Sequence, residues 1–95
     1  MFKVTFGKGF HLVFENGVTL STQFGYGNYC TNKNTRDMQG ILSCENAEIA
    51  IFDKNESWLT KECLIDLNIQ NDGDVLGYVD MDKWLKILDW CRNYK

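Results

Sequence analysis

The first 24 residues alternate apolar and polar side chains with period two, in three runs separated by two short glycine-bearing breaks. Phe2, Val4 and Phe6 share one side of the first run. Phe10, Leu12 and Phe14 share one side of the second, and Val18, Leu20, Thr22 and Phe24 one side of the third. Successive side chains of a strand point to opposite faces, so each run reads as a strand with one buried side. The breaks, Gly7-Lys8-Gly9 and Glu15-Asn16-Gly17, are short enough to fold neighbouring runs into antiparallel hairpins. Residues 2–24 therefore form a three-stranded β-meander.

Register follows from parity. A two-residue Asn16-Gly17 turn would set Phe14 against Thr19 and Leu12 against Ser21, leaving the apolar rows on opposite faces. A three-residue loop from Glu15 to Gly17 instead pairs Phe14 with Val18, Leu12 with Leu20 and Phe10 with Thr22. Gly17 then takes the left-handed conformation that closes a type I turn and bulge. The same rule at Gly7–Gly9 pairs Phe6 with Phe10, Val4 with Leu12 and Phe2 with Phe14. The other face carries Lys3, Thr5, His11, Val13, Thr19, Ser21 and Gln23, with His11 set between Thr5 and Ser21. Such a row suits a solvated surface, or a binding face on which His11, Ser21 and Gln23 meet a ligand. A single His with no acid or thiol in the same strands is a weak basis for catalysis.

Residues 25–45 read as a loop. Gly25 and Gly27 permit unusual backbone angles, and Tyr26 and Tyr29 suit stacking on a base, filling a partner's pocket, or closing over a sheet edge. Asn28, Asn32, Lys33 and Arg36 add donors and positive charge. The glycine spacing is not that of a phosphate loop. Residues 46–79 hold further strands and turns: a strand from Ala47 to Phe52, a turn from Asp53 to Glu56, strand material from Trp58 to Ile69, and a turn from Asn71 to Asp74. Within Trp58–Ile69 the alternation of Cys63, Ile65, Leu67 and Ile69 is the strand signal. Asp66, Asn68 and Gln70 have the spacing of the first ligands of a calcium loop. Asn71 stands where that loop needs Gly and Gly77 where it needs Glu, which excludes calcium.

Residues 80–94 predict a helix. Asp80 is a suitable N-cap, Asp82 favours the first turn, and Arg92 and Lys95 lie where positive charge is favourable. Met81, Trp84, Leu85, Leu88 and Cys91 recur on one face, widened by Ile87 and Trp90. Trp90 is more than packing on the meander needs, which makes it a candidate partner contact. The fold class is α+β in a single domain, 1–95: an N-terminal antiparallel meander extended by later strands and packed by one C-terminal amphipathic helix.

Composition narrows the function classes. With 13 acidic and 10 basic residues the net charge is −3, and no Lys/Arg run exists, so nonspecific nucleic-acid binding is not expected. No apolar run reaches the roughly 18 residues of a membrane helix, and the N-terminus lacks the pattern of a signal peptide. The expected setting is a reducing cytoplasm, with Cys30, Cys44, Cys63 and Cys91 as free thiols. Their spacing contains no C-x-x-C pair, and no metal or cofactor is implied.

The run GKGFHLVFENGVTLSTQFGYGNYC, with NAEIAIF and GYVDMDKWLKIL, resembles a group of small proteins of phages and prophages to which no activity attaches. The similar segments cover most of the chain, and the middle loop is the least alike. The resemblance implies a phage accessory gene expressed in a bacterial cytoplasm, and supplies no functional residues. With no Ser/His/Asp set, paired carboxylates or His cluster, the expectation is a non-enzymatic protein that binds and blocks a host defence component. It would do so as a protein inhibitor such as an anti-CRISPR, or by sequestering an immune nucleotide signal. Its partner would be a host protein or a small nucleotide, and a homo-oligomer would bring the loops of two copies together. The alternative is a structural or regulatory interaction module of a phage or host complex.

Overall fold

The computed structural model describes residues 1–36, 43–71 and 73–95. Part of the expected 25–45 loop, residues 37–42, and Asp72 of the expected Asn71–Asp74 turn lie outside them. Among the described residues five strands form one antiparallel sheet in chain order: β1 (Phe2–Thr5), β2 (Gly9–Val13), β3 (Thr19–Gln23), β4 (Ala47–Phe52) and β5 (Leu76–Val79). Two helices, α1 (Thr60–Asp66) and α2 (Met81–Arg92), pack on one of its faces. The fold is α+β, with the expected meander at its N-terminal end.

The second hairpin has the expected register: Phe10 opposes Thr22, His11 opposes Ser21 and Leu12 opposes Leu20. Gly17 sits at φ +86°, and the backbone N–H of Gly17 donates to the carbonyl of Phe14 at 2.9 Å. The first hairpin differs. Phe2 opposes Leu12, Lys3 opposes His11, Val4 opposes Phe10 and Thr5 opposes Gly9, a slide of two residues from the expected pairing. Gly9 belongs to the strand because β3 runs tight against it: a Cβ there would lie 2.2 Å from the Thr22 carbonyl oxygen. The loop becomes Phe6-Gly7-Lys8, with Phe6 at φ +52° and Gly7 at φ +66°. A two-residue slide preserves the faces, so Phe2 and Val4 still share a side with Phe10 and Leu12.

That side is covered by helix only over its middle. Val18, Leu20, Ile49, Ile51 and Val79 of the sheet meet Leu59, Cys63 and Leu64 around α1, and Ile87 and Cys91 of α2. The Trp84 indole N–H donates to the Thr22 hydroxyl at 2.9 Å, and the Trp84 ring meets Phe10 edge-on. Neither helix reaches β1, so Phe2, Val4 and Phe6 are exposed by 81, 83 and 93%, contrary to the buried row expected for that strand.

The expected strand material from Trp58 to Ile69 is corrected by the structure. A single bridge pairs Trp58 with Phe52, and the chain then turns into α1. Leu59, Cys63, Leu64 and Leu67 face inward at helical spacing, while Ile65, which a strand would have buried, is 77% exposed. Thr60, fully buried, accepts from the Ile51 N–H at 2.9 Å and satisfies the free side of β4 where a further strand would have paired.

α2 starts at Asp80, whose carboxylate accepts from the Lys83 N–H at 2.8 Å. Its inward face is Trp84, Ile87, Leu88 and Cys91, with Met81 and Leu85 exposed, so the apolar stripe is rotated from the expected one. The helix C-terminus is held by the first third of the chain. The Asn16 side-chain amide donates to the carbonyls of Cys91 and Tyr94 at 2.9 and 3.0 Å, while its carbonyl accepts from the Val18 N–H.

Candidate functional site

The sheet face opposite the helices carries three cross-strand rows: Thr5–Gly9–Gln23–Glu48, Lys3–His11–Ser21–Ala50 and Val13–Thr19–Phe52. His11 therefore neighbours Ser21, as expected, and Lys3 in place of Thr5. Burial and then the adjacent Lys3 charge both lower the His11 pKa from 6.5, which keeps the imidazole neutral at neutral pH. Ser21 is nearly buried, and the Gln23 side-chain amide donates to Thr5 Oγ1 at 2.6 Å and to Ser21 Oγ at 3.4 Å. Ser21 and Gln23 thus knit the middle of the face together.

At the Val13–Thr19–Phe52 end the face sinks into a concavity of about 620 Å³. Lys3, His11 and Thr19 line it from the meander, Phe52 from β4, and Asp53, Lys54 and Glu56 from the turn after β4. The turn is built by Asp53, whose carboxylate accepts from the Asn55 and Ser57 N–H groups at 2.8 and 2.9 Å. Phe52 packs on Trp58 with ring centroids 4.5 Å apart. Among the described residues the ion pair is Arg92–Asp89 on α2, so Lys3 and Lys54 meet the concavity without a carboxylate bound to either. The lining thus combines two ammonium groups, the carboxylates of Asp53 and Glu56, an imidazole and the Phe52 side chain.

The loop residues gather at the opposite end of the same face. Glu48 holds them there, accepting from the Asn28 side-chain amide at 3.2 Å and the Tyr29 N–H at 2.9 Å. The Tyr29 carbonyl in turn accepts from the Tyr78 N–H of β5 at 2.8 Å. Gly77 is required below it, because a Cβ there would lie 2.6 Å from the Tyr29 Cβ. Both tyrosines are exposed and each has a cation over its ring: Lys33 Nζ lies 5.4 Å from the Tyr29 centroid and the Arg36 guanidinium 5.2 Å from that of Tyr26. Tyr26, Asn28, Tyr29, Lys33 and Arg36 thus form one cluster. His11 lies outside it, in the middle row beside Ser21, and Gln23 lies in the row that ends at Glu48.

Trp90 stands apart from both, on α2. It is half-buried, donates to the Asp66 carboxylate at 2.8 Å, and packs on Tyr94 at 5.0 Å between ring centroids. The groove it lines, about 460 Å³, also takes in Asp66, Lys86 and Asp89.

The sequence reading missed Phe52, Lys54 and Glu56. Their turn was legible, but nothing in the sequence alone sets β4 beside β3. The inward-facing Ile49 and Ile51 do imply that Phe52 faces outward, and that parity is the signal that would have found it.

Among the described residues no three His, Cys, Asp or Glu side chains gather to hold a metal. Cys63 and Cys91 are core residues, and burial pushes the Cys63 thiol up to about 12 and the Cys91 thiol further. No described helix is long and apolar enough to cross a membrane. No protein-family model, no curated protein and no solved structure matches this chain.

Proposed function

We propose that this chain is a non-enzymatic binding protein that captures a small phosphate-bearing aromatic ligand on the outer face of its sheet. The setting is the one its resemblance implies, a phage accessory protein in a bacterial cytoplasm, where holding an immune nucleotide signal would block a host defence. The observation that supports the reading is a concavity lined by Lys3, Lys54, a neutral His11 and Phe52. Two ammonium groups supply the phosphate-binding charge, and the ring supplies a stacking surface for a base. Glu56 at the rim is an acceptor for a ribose hydroxyl or a base amine.

Calorimetric titration of the purified protein with linear and cyclic mono- and dinucleotides tests it. The expected result is binding of at least one, weakened about tenfold or more by Lys54→Glu, since each lost charged contact is worth about 1.5–3 kcal/mol. Failure of every nucleotide to bind, with no rescue of phage growth in defended cells, would sink the proposal. The second reading, inhibition of a host protein, draws on the exposed Tyr26 and Tyr29 with their cations. It predicts rescue that survives Lys54→Glu and is lost with Tyr26→Ala and Tyr29→Ala.

A further inference from the structure

The two edges of the sheet are finished differently. β5 is irregular: its pairing with β4 shifts between Ala47 and Ile49, Tyr78 sits at φ +54°, and its outer N–H at Tyr78 is taken by Tyr29. β1 has none of these devices. It is a regular strand in a chain without proline, and the residues around it that face the helix side are bare. An open, apolar, unbulged edge is a template for another strand.

The backbone shows which groups are free. Met1 and Val13 exchange both hydrogen bonds, at 3.0 and 2.8 Å, so the bonded pairs with β2 fall at Met1, Lys3 and Thr5. Phe2 and Val4 consequently turn their N–H and C=O groups outward.

We propose that the occupant of this edge is β1 of a second copy of the chain, running antiparallel about a two-fold axis at Val4 and making one ten-stranded sheet. Three features of the segment Phe2-Lys3-Val4-Thr5-Phe6 select a second copy. A dyad at Val4 sets Val4 against Val4 on the helix side, with the exposed Phe6 of the following loop, at φ +52°, just beyond the paired residues. It also makes Val4 a bonded pair, as its outward groups require. On the outer side it sets Lys3 against Thr5. Of the two neighbouring registers with the same parity, one would set Lys3 against Lys3, which like-charge repulsion disfavours, and the other would need Phe6 and Gly7, at φ +52° and +66°, as strand residues; odd registers would bring apolar and polar faces together.

Area agrees. Met1, Phe2, Val4 and Phe6 expose on the order of 600 Å² per copy, and joining two copies buries on the order of 1,000 Å², at the lower end of specific interfaces. A reversible dimer of roughly micromolar affinity is the expected result. This inference is independent of the ligand proposed above.

Sedimentation equilibrium of the full chain between about 1 µM and 1 mM tests it. The expected mass rises from the 11.0 kDa monomer to twice that value. Thr5→Lys would set two lysine pairs across the dyad and weaken the dimer at least about threefold, and Thr5→Glu would set two ion pairs and tighten it by a similar factor. Val4→Pro removes the outward N–H at the axis and abolishes the dimer. Should that variant fail to fold by circular dichroism, the opposed Thr5 variants decide. A wild-type chain that stays monomeric throughout overturns the proposal. So does a dimer indifferent to the charge at position 5, or one that survives Val4→Pro in a folded chain.

Discussion

His11 is flanked across the sheet by Lys3 and Ser21, and burial followed by the lysine charge holds its pKa below 6.5 in the folded protein. Above that pH the imidazole is neutral in both folded and unfolded chains and contributes nothing to the pH dependence of stability. Below it the unfolded chain binds a proton that the folded one resists, so stability falls as pH drops through 6.5 and levels off under the folded pKa. Thermal melts between about pH 7 and 5.5 should show the wild type losing stability where His11→Asn loses less; parallel slopes would remove His11 from this role. Half of its surroundings was legible in advance. Ser21 followed from the length of the Glu15–Gly17 loop, because a one-residue error would have flipped an apolar row. Lys3 did not, because a slide of two residues costs nothing in parity, and the close approach of the Thr22 backbone that keeps Gly9 in β2 is a contact with the next hairpin's strand, β3.

At the level of elements, α1 is the instructive case. Cys63, Ile65, Leu67 and Ile69 alternate like a strand, while Leu59, Cys63, Leu64 and Leu67 repeat like a helix, and seven residues are too few for periodicity to choose. What chooses is the end of β4, where Thr60 supplies the hydrogen-bond partner for Ile51 and Leu59 turns into the core. Mutation separates the two patterns. Leu64→Ala should cost about 2–5 kcal/mol in urea unfolding, as a buried leucine does, and Ile65→Lys should stay within about 0.5 kcal/mol of wild type. A strand would reverse the order. α2 was easier to read, since Asp80 and the twelve residues after it carry both a cap and a long apolar stripe. The rotation of that stripe toward Ile87 is set by Trp84 reaching Thr22, a partner 62 residues away.

For the molecule as a whole, the most consequential polar contact is the one between its first third and its last turn. Asn16 shapes its own hairpin loop through Val18 and, with the same side chain, gathers the carbonyls of Cys91 and Tyr94. Asn16→Ala should destabilise the fold by about 1–3 kcal/mol, since it strips partners from helix-end carbonyls and loosens the turn together. Asn16→Asp should recover the turn and not the helix contact, because a carboxylate cannot donate. Two-state unfolding of both variants checks this, and equal losses would assign the whole effect to the helix-end carbonyls and none to the turn. The candidate site has the same long-range character: Lys3 and His11 come from the meander, Phe52 and Lys54 from a strand and turn about forty residues later. The sequence therefore shows each half and not their meeting. Ile87 and Cys91 seal a core whose other walls are made much earlier in the chain. During synthesis, Leu20, Ile49 and Ile51 emerge from the ribosome long before the helix that covers them. Until residue 91 is free the apolar side of β3 and β4 lacks its cover, and surface left bare in this way is what chaperones bind.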